Sequence, residues 1–330
     1  MDERDQTTDG ALPPDDEEIV RGLLTMAGPR PPIPQEDLDA ISGAARSAWR
    51  TQVRRRAPAH RAVWMSLAAA LAVALGIAWW WTSREARVPV PVARVEAVVG
   101  PVRLENSRWI AKGDAIPLGT TLHSSTGRAA LRLAGGATVR LDVQSQLSFV
   151  STSALDLERG ALYVDTGSGR PSIEVRTPLG TARDIGTQFA IRLEGSTALR
   201  VRVREGSVLT QQHGRTYLTP AGQELLLRHD GTSERRNVAA HGPEWEWVLE
   251  ASPGFDIEGR SLQEFLDWVS RETGWQIRYA DNGLVESAAK IVLHGSIGKL
   301  RADRAPFAVL PGAGLDGRLE DGTLVIRRRH

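Results

Sequence analysis

The chain has no cysteine among its 330 residues. That excludes a disulfide scaffold, a thiol nucleophile and thiolate metal sites. It leaves the redox compartment open, because a thiol-free chain tolerates an oxidising space without requiring one. An excess of either charge is missing too. Lys and Arg number 41 against 40 Asp and Glu, a formal net charge of +1, so the whole chain makes no case for direct nucleic-acid binding. Histidine is scarce: seven residues, at 60, 123, 213, 229, 241, 294 and 330, with none at HExxH spacing. No GxSxG elbow, Walker sequence or dinucleotide glycine pattern occurs. Conventional catalysis, a resident cofactor and a metal site are therefore not expected.

Long apolar runs are also lacking, with one exception. Residues 62–81 read AVWMSLAAALAVALGIAWWW, twenty residues without a charge. At ~1.5 Å per residue a helix of this length spans roughly 30 Å, the thickness of a bilayer's hydrocarbon core. Trp64 lies near one edge and Trp79, Trp80 and Trp81 at the other, where amphipathic rings favour the headgroup layer. Arg50, Arg54, Arg55, Arg56 and Arg61 precede the run, and only Arg84, Arg87 and Arg94 follow closely. This bias predicts a single transmembrane helix over 62–81 with a cytoplasmic N-terminus. The run lies too far from Met1, and ends in too much tryptophan, for a cleaved signal peptide.

Four segments surround this helix. Residues 1–61 form a cytoplasmic arm with two short amphipathic helices separated by the Pro-rich stretch 29–34. Ile19 and Leu23 mark the apolar face of the first, and Leu38, Ile41 and Trp49 that of the second. Helices this short bury little core alone and gain by docking, so these five are the candidate partner-binding residues. A loose tether is the other reading. From 92 to 227 the period becomes two, as in VRVREG and ATVRLDV, with glycine turns every eight to twelve residues; this predicts an all-β sandwich or roll. Residues 228–252 read as a linker that packs Trp245 and Trp247 between domains. Residues 253–328 read as a small α+β domain in the order β-α-β-β-α-β-β. FDIEGR, WQIRY and KIVLHG are expected strands, Ser261 and Glu264 form a capping box, and a hairpin turns at Glu320-Asp321-Gly322. The fold class is thus multidomain: short cytoplasmic helices, one transmembrane helix, a β domain and a small α+β domain.

The β segment carries an ordered series of motifs. Leu118-Gly119-Thr120 is followed by Gly127-Arg128-Ala129-Ala130-Leu131-Arg132-Leu133, and Glu158-Arg159-Gly160 by Ala161-Leu162-Tyr163-Val164. The most specific are Ile173-Glu174-Val175-Arg176-Thr177-Pro178-Leu179-Gly180 and Gly186-Thr187-Gln188-Phe189, with Val201 to Val208 after them. The series resembles the FecR family, single-pass inner-membrane regulators of Gram-negative bacteria. Residues 253–328 resemble the short N-terminal domain of secretins and TonB-dependent transducers, through Ser261-Leu262, Thr273-Gly274-Trp275, Val292-Leu293-His294-Gly295 and Thr323-Leu324-Val325-Ile326. Pro311 and Ala313 depart from that domain's wording, and the arm has only Trp49 where the family's arm is rich in tryptophan.

The FecR resemblance implies a bacterial inner-membrane protein with its C-terminal bulk in the periplasm. It implies two partners: an extracytoplasmic-function sigma factor on the arm, and the N-terminal domain of an outer-membrane TonB-dependent transducer on the periplasmic part. It also implies candidate self-cleavage at Gly186-Thr187, by attack of the Thr187 hydroxyl on the Gly186 carbonyl. The structural alternative is that Gly186 supplies a turn angle and Thr187 faces the core. The alternative overall function is a membrane-anchored periplasmic binding or scaffold module with no sigma-factor role.

Overall fold

The computed structural model describes residues 91–329 except 168, 169 and 299, together with Arg21, Gly22, Thr25, Gly43 and Ala44, which are helical. The chain divides into two compact units, Met1–Glu85 and Ala86–His330. The candidate residues Ile19, Leu23, Leu38, Ile41 and Trp49, and the apolar run 62–81, lie outside the described residues. Among the described residues, no helix is long and apolar enough to cross a membrane.

The second unit is dominated by a 15-stranded sheet. Its first strands are β1 (Pro91–Val99), β2 (Val102–Leu104), β3 (Ala115–Pro117), β4 (Thr121–Ser124), β5 (Arg128–Leu133), β6 (Thr138–Leu141), β7 (Gln146–Phe149) and β8 (Ala154–Arg159). There follow β9 (Ala161–Asp165), β10 (Glu174–Thr177), β11 (Gly180–Glu194), β12 (Ala198–Gln212), β13 (Arg215–Pro220), β14 (Gln223–Arg228) and β15 (Ser233–Asn237). The spatial order is β2-β4-β7-β8-β10-β11-β9-β6-β5-β1-β3, with β12 to β15 extending from β11. Only β8 and β10 pair in parallel; the other pairings in this sheet are antiparallel.

Alternation drives these strands. In β12, Val201 and Val203 are buried while Arg200 and Arg202 stand half-exposed between them, the pattern of a sheet with one face on a core. That core is continuous, with Leu122, Leu131, Val139, Leu147, Leu155, Phe189 and Val203 at its centre. Two strands of 15 residues, β11 and β12, hold the curl. The first part of β11 pairs with β10 and its second part with β9, so one strand serves both halves. The sheet turns this corner at a bulge between Ile185 and Gln188, opposite Glu205 and Ser207. Inserting residues on one strand bends it and increases its twist.

Pairing continues past residue 227, where the alternation ends. β15 pairs with β14 from Ser233 to Asn237, inside the segment expected as a linker. Its sequence, SERRN, is exposed at every position. An edge strand with no buried face carries no period-two signal, and its charges discourage further pairing.

After the large sheet comes a short helix, α1 (Glu246–Glu250), then α2 (Leu262–Thr273), α3 (Asn282–Ala288) and α4 (Ala305–Val309). A three-stranded sheet completes this module: β16 (Gln276–Tyr279), β17 (Leu315–Glu320) and β18 (Thr323–Arg328), in the order β16-β18-β17. The capping box at the start of α2 forms as the spacing requires. Ser261 Oγ accepts from the Glu264 N–H at 3.2 Å, and the Ser261 N–H donates to Glu264 Oε2 at 2.9 Å. Leu262, Phe265, Leu266 and Val269 turn inward onto Leu310, Leu324 and Ile326. The expected strands FDIEGR and KIVLHG do not form an extended ladder, but they run side by side: Gly259 N–H donates to the Leu293 carbonyl at 3.0 Å, Leu293 N–H to the Arg260 carbonyl at 2.7 Å, and Ser261 bridges Val292. Ile257 and Leu293 are buried there in the module's core, so the apolar spacing reflects packing together with a pairing too short to make a strand. Helix α3 was not expected.

Candidate functional site

The Gly186-Thr187 pair lies at the corner bulge. Gly186 has φ +62°, a left-handed angle that glycine adopts at little cost. Gly206 faces it across the ladder at φ +74°, and a Cβ on Gly206 would stand 2.3 Å from the Gly186 carbonyl oxygen. The two glycines therefore allow β11 and β12 to fold over the corner in contact. Thr187 is 1% exposed.

A small polar network holds this corner. The Thr187 N–H donates to Thr166 Oγ1 at 2.9 Å, and the Thr166 N–H donates to the Thr187 carbonyl at 3.0 Å. Thr166 Oγ1 in turn donates to Asp184 Oδ2 at 2.6 Å. Asp184, buried at the strand end, also accepts from the Gly186 N–H at 3.2 Å and from the Ile173 N–H. The Thr187 hydroxyl is buried and has no hydrogen-bond partner among the described residues. Attack on the Gly186 carbonyl needs a base to take the hydroxyl proton. The carboxylate beside the bulge is bound instead to Thr166 and to backbone amides.

The second polar cluster joins the sheet to the helical module. Arg140, on β6, donates from Nη2 to Glu272 at 2.6 Å and from Nη1 to the Val248 carbonyl at 3.0 Å. Glu272 Oε2 also accepts from Ser252 Oγ at 2.6 Å. Arg204, on β12, donates from Nη1 to the Glu272 carbonyl at 3.0 Å. Its guanidinium lies 4.3 Å over the Trp245 ring and 5.8 Å from the Tyr163 ring, within cation–π range. Arg271 Nε donates to Asp165 Oδ2 at 2.7 Å, and its Nη2 donates to Oδ1. Val248 and Glu272 offer carbonyls from the last turns of α1 and α2, where the helix dipole favours a cation.

Burial sets the electrostatics here. It pushes the Tyr163 hydroxyl up from its ordinary value. It raises the Asp165 carboxyl as well, against the pull of Arg271. Burial and the neighbouring Arg140 lower the Arg204 guanidinium, partly offset by Tyr163 and Glu272. For Arg140 burial opposes the charge, but Glu272 outweighs it and holds the group above its usual value. Trp245 seals the cluster: its ring meets Tyr163 edge-on at 6.3 Å, and its Nε1 donates to the Ala239 carbonyl at 2.9 Å. Trp247 packs with it onto Ala161 and Ala190 of the large sheet.

The sequence reading found the corner pair but not Arg140, Asp165, Arg204, Arg271 or Glu272. In TVRL and VRVREG the arginines read as the solvent side of half-buried strands. One signal was present. β9 is ALYVD, four apolar residues followed by an aspartate, and all five are buried. A strand apolar on both faces requires a second layer over its outer face.

These features define a β-rich module with a glycine corner and a second small domain locked onto its outer face by buried charge. Residues 120–209 match the FecR protein family. This stretch runs from just before β4 into β12 and includes the corner bulge, so about a quarter of the chain is similar to the FecR family. No curated protein matches the chain. Two crystal structures of a protein from Parabacteroides distasonis ATCC 8503, provisionally described as an anti-sigma factor, are similar at 15% identity. The 1.65 Å structure has a TM-score of 0.35 and covers 64% of this chain and 99% of its own; the 2.50 Å structure has 0.34, 63% and 97%. A superposition that loose adds nothing to the assignment.

Proposed function

We propose that this protein is a FecR-type transmembrane regulator that passes a periplasmic signal to an extracytoplasmic-function sigma factor. The observation that carries the reading is the FecR match over residues 120–209. The uncharged run 62–81, with its basic N-terminal flank and tryptophan edges, supports it. On this reading the run crosses the bacterial inner membrane once, the arm 1–61 binds the sigma factor in the cytoplasm, and the bulk of the chain is periplasmic. The small domain at the C-terminal end receives the N-terminal domain of an outer-membrane TonB-dependent transducer. Its own resemblance to that transducer domain motivates this partner.

Deletion experiments test the scheme. Removing residues 1–61 should abolish control of sigma-dependent transcription, and removing 253–328 should leave control intact but deaf to the outer signal. Unaltered transcription in both would favour the scaffold alternative. An alkaline phosphatase fusion after Arg87 should be active; activity of a cytoplasmic reporter there would overturn the topology.

Self-scission at Gly186-Thr187 is a second reading, motivated by the left-handed backbone of Gly186 directly before Thr187 at the bulge; it requires a base to reach the Thr187 hydroxyl. The hydroxyl oxygen would add to the Gly186 carbonyl and the Gly186–Thr187 C–N bond would break, freeing the amine of Thr187. Water would then cleave the resulting ester. Blots against both ends of the expressed chain test it. A single full-length band, the same in Thr187→Ala, would leave the pair as a turn only.

A further inference from the structure

Helix α2 touches the large sheet at its last turn, and the contact falls beside the corner. Arg271 grips both oxygens of Asp165, the final residue of β9. Asp165 pairs with Gln188 across the ladder, and the Gln188 amide reaches Asp165 Oδ2 at 3.5 Å. Thr166, next in the chain, is tied to Thr187 by the two hydrogen bonds described above. The N–H of Gly167 then donates back to Asp165 Oδ1 at 3.1 Å. A Cβ on Gly167 would stand 2.9 Å from Arg271 Nη2, so the guanidinium lies directly on this turn. A bonded path thus runs from α2 through Asp165 and Thr166 to the Gly186-Thr187 bulge.

We propose that Arg271 is a positioning residue through which docking of the C-terminal module is read at the Gly186-Thr187 bulge. With Arg271 seated, Asp165 and Thr166 hold the end of β9 against the bulge and keep Thr187 buried. When the module lifts, Asp165 loses its bidentate partner while still partly enclosed. The β9 end is then no longer held, and the Gly186–Thr187 peptide bond opens to solvent. The contact suits a releasable joint. The Arg271 side chain is 41% exposed and Asp165 5%, and an ion pair that water reaches from one side gains little over its separated, hydrated partners. The other members of the joint, Arg140 and Arg204, bond to the residue that follows Arg271, so one displacement of the α2 end breaks all three contacts.

This rests on the bulge being a functional site, but not on scission there. The test is amide hydrogen exchange on the full chain, comparing the wild type with Arg271→Ala, Arg271→Lys and Arg260→Ala. Arg260 lies just before the same helix, and among the described residues its side chain makes only an exposed pair with Glu264. The segment 184–189 should exchange about tenfold faster or more in Arg271→Ala, as expected for a local opening made easier by at least one bond's worth of free energy. Arg271→Lys should recover part of the protection, Arg260→Ala should match the wild type, and β5 should not change. Unchanged exchange at 184–189 in Arg271→Ala would overturn the proposal, and so would a rise shared equally by β5, which reports loss of the fold. A chain that never cleaves but shows the local opening disposes of scission alone. One that cleaves at wild-type rate in Arg271→Ala with no local opening disposes of this proposal alone.

Discussion

Glu272 carries three separate demands in one side chain and its carbonyl: the Arg140 guanidinium, the Ser252 hydroxyl and the Arg204 guanidinium. Arg140 and Glu272 are 3% and 8% exposed at their side chains, so neither has water to fall back on. Glu272→Ala would leave the Arg140 charge buried with one backbone carbonyl. Removing one partner of such a pair costs about 3–5 kcal/mol, and urea denaturation should show a loss in that range. Glu272→Gln keeps the shape and should cost less. Gly206 is a second sensitive position. Its positive φ and the 2.3 Å approach of the Gly186 carbonyl oxygen leave no room for a methyl group. Gly206→Ala should destabilise by more than the ~0.5–1 kcal/mol that a tolerated Gly→Ala exchange changes, and the thermal midpoint will show it.

At the scale of elements, the capped helix α2 is the clearest test of local sequence logic. Ser261 and Glu264 satisfy each other's backbone groups, so Ser261→Ala should cost about 0.5–2 kcal/mol, measured by denaturant titration. This element was legible because its signals are local: a cap, an N3 glutamate and an apolar face at helical spacing. The hairpin of β17 and β18 was legible for the same reason, since Asp321 and Gly322 both take positive φ at its turn. The failures have the opposite cause. FDIEGR and KIVLHG alternate like strands and do pair briefly, but nothing local shows that the pairing stops at one bridge. β15 has no buried face, so its pairing with β14 left no periodic trace. The corner pair was found by resemblance. Its partner Asp184 lies two residues away on the same strand, but Thr166 follows the end of β9 and reaches the pair only in the folded sheet.

Across the whole molecule, charge decides how the parts respond to acid. Glu224, 2% exposed, is ringed by Arg200, Arg202 and Arg236. Burial alone would raise its carboxyl, but the arginines prevail and lower it to about 2. A carboxylate whose folded value is depressed contributes stability that is complete above its unfolded value and is lost as pH falls through the folded one. The stability of the wild type should therefore fall between about pH 4.5 and pH 2 by an increment that Glu224→Gln lacks, as thermal midpoints across that window will show. The arginine cluster at the module interface gives the same molecule a joint between its two folded parts. On the function proposed above, this joint is where a signal from the C-terminal module would enter the large sheet. The proposed sigma-factor partner would bind the arm, residues 1–61. The direct measurement is titration calorimetry of residues 1–61 against each extracytoplasmic-function sigma factor encoded beside or near this chain. The account predicts saturable one-to-one binding to one of them, weakened by Leu23→Asp or Ile41→Asp. No binding to any of them would contradict it.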